Sequence, residues 1–527
     1  MLTRWLFLLW AALVLAAPAQ ALTQAQALAL TKGDTASRIA TLNELVGASV
    51  PDVQASALIQ ALADDAVKFT DMAVFIVKDG KGFDPVTGAE VKLPDAAEDV
   101  INNNQMRAEL DAALALGKLQ SPDAKLRLEA VKTLASDPNE AKLPLIEKAY
   151  AAEQDAAVKD ALANLRFALL LGSPDRSKRL EAAEALGSVG TPSTKLLLNE
   201  RLQAESDAEV KTALRAALGQ IDARLVWGER LGVVFTGISL GSILLLVALG
   251  LAITYGLMGV INMAHGELMM IGAYATYVVQ NVFRSYFPGA FDLYVIAAIP
   301  VSFLAAALVG AVLERGVIRW LYGRPLETLL ATWGISLILM QSVRNLFGAQ
   351  NVPVENPAWL SGGLAVMSNL TLPYNRIAII VFATLVLAGV ALLIARTRLG
   401  LFVRGVTQNR KMAACMGVNT ARIDTYAFAL GSGIAGLAGC ALSQVGNVGP
   451  DLGQSYIVDA FMVVVLGGVG QLAGTVYAAL GLGVLNKLLE GWQGAVLAKI
   501  MVLVFIVIFI QKRPQGIFAM KGRSAEA

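Results

Sequence analysis

The sequence predicts an all-α protein in two parts. An exported α-solenoid of HEAT-like helical hairpins comes first, followed by a polytopic membrane helix bundle of about 8–9 spans, some of them re-entrant or Gly-broken. Three observations carry this. The 527 residues are 56% hydrophobic with a mean hydropathy of +0.59, too apolar for a wholly water-soluble chain. From Gly232 onward, apolar runs of membrane length follow one another, separated by short polar or Gly-rich breaks. Before that point an Ala/Leu-rich amphipathic pattern repeats at an offset of 52 residues.

Residues 1–21 read as a signal peptide. Arg4 supplies the positive start, Trp5 to Ala17 the apolar core, and Ala19-Gln20-Ala21 a small-residue cleavage site. An uncleaved anchor is the alternative, but the apolar run is short for a span. Residues 22–225 then form an exported helical-repeat domain. LRLEAVKTL (126–134) recurs as KRLEAAEAL (178–186), DAAVKDAL (155–162) as DAEVKTAL (207–214), and Ser-Pro-Asp precedes both copies of the first motif as a helix start. Arg127 and Arg179 are equivalent, as are Glu129 and Glu181. Repeated charges on repeated helices either bridge neighbouring units or face solvent, and the alternative is contact with a partner. Near 69–94, β-formers flank Lys78-Asp79-Gly80 and predict a small hairpin insert. Its carboxylates do not follow a calcium-loop spacing.

The membrane domain, 226–527, offers nine candidate spans: 232–257, 261–281, 293–313, 326–346, 376–395, 425–445, 457–470, 473–490 and 496–511. Lys and Arg crowd into 314–327, 396–424 and the C-terminal tail, and are absent from 347–374 and 446–457. The positive-inside rule puts the basic loops and the C-terminus in the cytoplasm. Gly237/Gly241 and Ala435/Gly439 have the small-xxx-small spacing of close helix packing. Gly431 to Gly436 spells GxGxxG but lacks a preceding strand, so packing explains it better than a dinucleotide.

Polar residues inside apolar spans are costly and kept for a reason. Here they are Thr254, Asn262, His265, Glu267, Thr332, Trp333, Ser336, Gln341, Gln444 and Asp459. A path lined by hydroxyls and amides suits a small neutral polar solute better than an ion, having neither an Arg row nor a carboxylate ring. For His265 and Glu267 the competing reading is a pair that only fixes the break between two helices. One His and two Cys leave no metal site, the net charge of +2 supports no nucleic-acid partner, and no cofactor is expected. The sequence contains no GxxxxGK[ST], so ATP hydrolysis is not expected here and the chain is not read as an enzyme.

The run YGLMGVINMAHGELMMIGAY (255–274) closely resembles the signature of ABC-importer permeases of the branched-chain amino acid type. The N-terminal extension resembles that of one branch, the urea permeases. The resemblance implies a multi-pass inner-membrane permease subunit with a periplasmic N-terminal domain. It implies as partners a second permease subunit, two ATP-binding subunits, a periplasmic solute-binding protein and membrane lipid. Urea is the solute this favours, with branched-chain or other amino acids and amides as the alternative. The basic loop reads as a helix from about Arg404 to Met416, stopped at Gly417. The resemblance gives that segment the docking of an ATPase subunit, through Arg404, Ala413, Ala414 and Gly417. Without it, the loop is only a topology signal. A membrane-anchored scaffold or sensor remains open from the residues alone, although the many Gly-broken spans exceed what an anchor needs. A channel or proton-coupled carrier is disfavoured by the scarcity of intramembrane carboxylates.

Overall fold

The computed structural model describes residues 22–47, 53–78, 80–94, 96–136, 139 and 142–518. The predicted signal peptide and the tail residues Lys521 and Arg523 lie outside them. The chain divides into two compact units, up to Leu225 and from Val226 onward.

The first unit opens with helices α1 (Gln24–Thr31), α2 (Thr35–Gly47) and α3 (Val53–Ala63) and a five-stranded antiparallel sheet. The strands β1 (Val67–Phe69), β2 (Val74–Lys78), β3 (Lys81–Phe83), β4 (Glu90–Val91) and β5 (Glu98–Asp99) lie in the order β4-β3-β2-β1-β5. The predicted hairpin is therefore the centre of a larger sheet, and the chain is not purely helical. β4 and β5 are two residues long and too short to show alternation, so pattern reading missed them. Val67, Val74 and Ile76 bury the sheet face against Leu58 and Leu62 of α3 and Leu110 of the next helix, α4 (Asn104–Lys118). Arg38, 6% exposed, has its guanidinium donors satisfied by carbonyl and amide oxygens. It donates to the Leu30 carbonyl (2.7 Å), the Ile101 carbonyl (3.1 Å) and Asn102 Oδ1 (2.6 Å), tying α2 to the segment after β5.

Five helices complete the repeats: α5 (Ala124–Ser136), α6 (Leu143–Ala152), α7 (Ala156–Leu170), α8 (Arg176–Val189) and α9 (Pro192–Ala204). The Ser-Pro-Asp aspartates do what that motif predicts: Asp123 accepts Lys125 N (2.9 Å) and Asp175 accepts Ser177 N (2.9 Å) at helix starts. The repeated arginines are stitches. Arg127 donates to the Ser121 and Pro122 carbonyls and pairs through Nε and Nη2 with Glu153, which in turn accepts Gln154 N and Asp155 N. Fifty-two residues on, Arg179 meets the Ser173 and Pro174 carbonyls and Glu205, which accepts Ser206 N and Asp207 N. Glu129 and Glu181, singled out in the sequence, are not these partners.

The Arg127 stitch has a pH signature. Hydrogen bonding from Arg127 brings the Glu153 carboxyl from its ordinary 4.5 down to about 2. A carboxyl with a lower pKa folded than unfolded contributes stability above about pH 4.5. That contribution is lost as pH falls toward 2, where the folded form is protonated as well. Glu153→Gln should therefore melt below wild type at pH 7, with the gap closing as pH falls from about 4.5 to 2. Arg127→Met should likewise lower the melting temperature at neutral pH. A melting gap for Glu153→Gln that stays constant with pH would overturn this account.

The second unit contains α10 (Ala208–Met258, from Val226 on), α11 (His265–Tyr286), α12 (Tyr294–Gly316), α13 (Pro325–Phe347) and α14 (Tyr374–Arg396). Two short helices, α15 (Arg398–Gln408) and α16 (Arg410–Cys415), precede α17 (Thr420–Ser443), α18 (Leu452–Gly467), α19 (Leu472–Gln493) and α20 (Ala495–Lys512). Among the described residues, seven helices are long and apolar enough to cross a membrane, against nine predicted. The two that fall short are α11, which carries His265, Glu267, Gln280 and Arg284, and α18, only 16 residues long. The stretch 347–374, which has no Lys or Arg, contains a small hairpin, β6 (Gly363–Met367) with β7 (Leu370–Pro373), where the sequence predicts a loop.

Helices α11, α12 and α17 pack most closely, because glycine removes side-chain bulk where they cross. A Cβ on Gly436 would stand 2.5 Å from the Ser302 carbonyl of α12, and one on Gly431 would stand 2.6 Å from the Gly250 carbonyl of α10. The GxGxxG run is thus a packing surface. Gly237 likewise faces α19, where a Cβ would lie 2.6 Å from Val484 Cα. Beyond α20 the chain folds back: Ile517 N donates to the Leu466 carbonyl (2.8 Å), and Phe518 stacks on Tyr477.

Candidate functional site

The polar residues of the second unit gather where α10 stops and α11 begins. Gly259 adopts φ +65°, a left-handed turn that ends the helix. Asn262 Oδ1 accepts Ala264 N (3.0 Å) and so caps the start of α11 from two residues upstream. Thr332 of α13 clamps the break from outside. Its hydroxyl accepts Met263 N (3.2 Å) and lies 3.4 Å from the Ile261 carbonyl.

His265 and Glu267 occupy the first turn of α11 and are 0% and 1% exposed. His265 Nε2 lies 3.1 Å from the Val247 carbonyl, an acceptor only, so this nitrogen carries the proton. Gly250 makes room for the ring: a Cβ there would sit 3.1 Å from Nε2. Nδ1 has no partner. Glu267 Oε1 accepts the Ser336 hydroxyl (3.0 Å), and Oε2 has no partner. Oε2 faces the start of α18, where a Cβ on Gly453 would lie 2.7 Å from it. Gly453 and Gly266 bring the two helix starts into backbone contact.

The other predicted path residues separate. The Thr254 hydroxyl returns to its own helix at the Gly250 and Leu251 carbonyls, and its methyl packs on Gly431. Trp333 is 53% exposed and points away from the buried cluster, and Gln341 is exposed and bonds Asn345. Gln444 belongs to a different group at the end of α17. Its Oε1 accepts from Tyr294 Oη (3.3 Å), and its carbonyl accepts Asn375 Nδ2 (3.0 Å). Tyr294 also donates to the Glu355 carbonyl (2.5 Å), so Gln444 helps anchor the 347–374 stretch. Asp459 pairs with Lys499 of α20 at 3.7 Å. The break therefore assembles Asn262, His265, Glu267, Thr332 and Ser336, and leaves Thr254, Trp333, Gln444 and Asp459 outside.

Sequence reading missed three neighbours. Tyr274, 2% exposed with an unpartnered hydroxyl, lies seven residues after Glu267, on the same face of α11. Arg344 lies eight residues after Ser336 on α13 and pairs with Asp451 (2.5 Å), the residue before α18. Helical spacing from Glu267 and Ser336 was the signal that would have found Tyr274 and Arg344. No group of three or more His, Cys, Asp or Glu among the described residues could hold a metal ion.

The predicted helix 404–416 is two helices. Asn409 leaves helical geometry and caps α16 by accepting Met412 N (3.0 Å). Its short side chain competes for backbone donors, which breaks an otherwise helical pattern. Gly417 has φ +81°, with Gly417 N on the Ala414 carbonyl (3.0 Å) and Val418 N on the Ala413 carbonyl (3.1 Å). That is a Schellman stop, which requires the left-handed residue the sequence supplies. Arg404 is exposed on α15, Ala413 half-buried and Ala414 exposed on α16.

Residues 233–510, more than half the chain, match the family model of the branched-chain amino acid transport system permease component. The chain is 30% identical over 285 residues to the high-affinity branched-chain amino acid transport system permease protein BraD of Pseudomonas aeruginosa. That alignment covers 53% of this chain and 93% of the relative. It is 28% identical over 289 residues to the LivH permease protein of Escherichia coli, covering 54% and 93%. Similarity to the probable LivH permease protein of Methanocaldococcus jannaschii is 24% over 296 residues, covering 52% and 88%. No solved structure matches the chain. Given the match across its helical membrane unit, this chain belongs to the branched-chain amino acid transport system permease family, whose members are multi-pass membrane subunits of transporters.

Proposed function

We propose that this chain is the permease subunit of an ATP-driven importer for a small polar solute bearing N–H groups. The observation that carries the reading is the buried polar break at 259–267 inside a unit that matches the permease family over residues 233–510. The solute is an amino acid or an amide. Relatives named for branched-chain amino acids favour the first, and the N-terminal extension, outside the matched residues, favours urea. A second permease subunit completes the membrane core, two ATP-binding subunits drive it, and a periplasmic solute-binding protein delivers to it. α15 and α16 form the surface that receives an ATPase subunit. The positive-inside rule supports a cytoplasmic position for that surface, with the helical-repeat domain and 347–374 in the periplasm.

Uptake by the assembled complex in proteoliposomes tests both solute and orientation. Labelled leucine or labelled urea should accumulate only with ATP and all subunits present. In a Cys415→Ser background, since Cys415 is exposed, Ala358→Cys should label from outside intact cells and Thr407→Cys should not. Accumulation by this chain alone would favour a carrier. Equal labelling at both positions would reverse the orientation and the placement of the ATPase.

A further inference from the structure

The least explained atom of the membrane unit is Glu267 Oε2. The side chain is 1% exposed, its other oxygen is held by Ser336, and Oε2 has no donor at all. Buried carboxylate oxygens ordinarily have partners, because an acceptor stripped of water and given nothing in return is costly. The beginnings of α11 and α18 meet at Gly266 and Gly453, and both N-termini present partial positive charge to the carboxylate. The Tyr274 hydroxyl is also buried and unpartnered. Asp451 is the residue just before α18, two positions from the Gly453 that meets Glu267 Oε2, and it is held by Arg344 with its own side chain 65% exposed. Acceptors thus run from a buried end at Glu267 to an exposed end at Asp451.

We infer that Glu267 Oε2 accepts an N–H group of the transported solute, with the Tyr274 hydroxyl and Asp451 on its route in. With Oε1 held by the Ser336 hydroxyl, Oε2 is the acceptor left open, so the solute must bring the donor. An ammonium of an amino acid and an amide N–H of urea share that chemistry. A solute carrying only acceptors, or a net negative charge, is refused. Arg344 pairs with Asp451 and thereby limits the negative charge at the exposed end. The inference rests on the importer reading and adds to it the residue that selects the solute.

The test is ATP-driven uptake by the complete transporter, with leucine and urea as separate arms, comparing wild type with Glu267→Gln. Glutamine keeps the shape and removes the charge. A charge-assisted hydrogen bond predicts that maximal uptake of the accepted solute falls about tenfold or more, while subunit assembly and ATPase activity persist. Loss confined to the leucine arm identifies an ammonium, and loss in the urea arm an amide. Wild-type uptake by Glu267→Gln overturns the site and leaves the importer reading standing. A wild-type complex that takes up neither solute overturns both. Should Glu267→Gln fail to assemble, Ser336→Cys in the Cys415→Ser background decides. Saturating leucine or urea should slow its reaction with a small thiol reagent, and an unchanged rate overturns the site.

Discussion

Gly439→Leu is expected to leave almost no folded protein in the membrane. Gly439 lies in α17 where that helix crosses α11. A Cβ at this position would overlap the Met269 carbonyl oxygen and stand 2.7 Å from Ala273 N. Both obstacles are backbone, so no rotamer relieves them and the helices must move apart. α17 cannot retreat, because Gly436 and Gly433 hold its other side against Ser302 and Phe303 of α12. Overpacking a well-filled core costs about 1–3 kcal/mol when side chains can shift, and more when the obstacle is main chain. Against a net stability on the order of 5–15 kcal/mol, that is a large share. Gly439→Ala should be milder but still damaging, and Gly446→Leu, with nothing within 4 Å of its Cβ, should be tolerated. Membrane-fraction abundance and detergent-extracted melting read the difference. Equal abundance of Gly439→Leu and Gly446→Leu would show that the crossing is looser than described.

The same residues explain what was legible beforehand. Small-xxx-small spacing announced the α11–α17 seam because close approach has few solutions other than Gly and Ala. The Schellman stop at Gly417 was legible for a similar reason, since a left-handed residue after a helical run is nearly always Gly. Repeats were legible because one stitch was used twice, at Arg127 and Arg179. The small sheet around Val67–Asp99 was only half visible, because two-residue strands have no period. The candidate site was legible by type but not by grouping. Polar identity pointed equally to Glu267, Trp333 and Asp459, and only the helix rotation shows that Trp333 faces outward while Ser336 faces Glu267. Paired acids beneath the basic loop went unnoticed because Glu314 and Asp424 looked like ordinary loop charges.

Those acids carry the second large effect: Arg410→Ala should uncouple the transporter, and more severely than Asp424→Asn. Asp424 is 0% exposed near the start of α17, and the guanidinium of Arg410, from α16, grips both its oxygens. Arg410 lies over the Tyr322 ring at 4.8 Å. Tyr322 reaches Glu314 (3.4 Å), also 0% exposed, which accepts the Thr425 hydroxyl (2.7 Å) and pairs with Arg319 (3.7 Å). One network thus joins the end of α12, the 317–324 stretch, α16 and the start of α17. Removing Arg410 takes the paired cation from a buried carboxylate and leaves it chiefly Tyr322, which costs about 3–5 kcal/mol. Removing the charge of Asp424 strands only Arg410, which is 42% exposed and can turn to water, at about 1–2 kcal/mol for the lost bonds. Gly417→Val ranks lowest of the three. Nothing lies within 4 Å of its Cβ, so its penalty is the left-handed backbone alone, about 1–2 kcal/mol. If α16 is the element an ATPase subunit grips, co-purified ATPase and solute uptake should fall in the order Arg410→Ala, Asp424→Asn, Gly417→Val. Full docking and uptake by Arg410→Ala would mean that the network only holds the helices together, and that coupling runs through α15 and the exposed Arg404 instead.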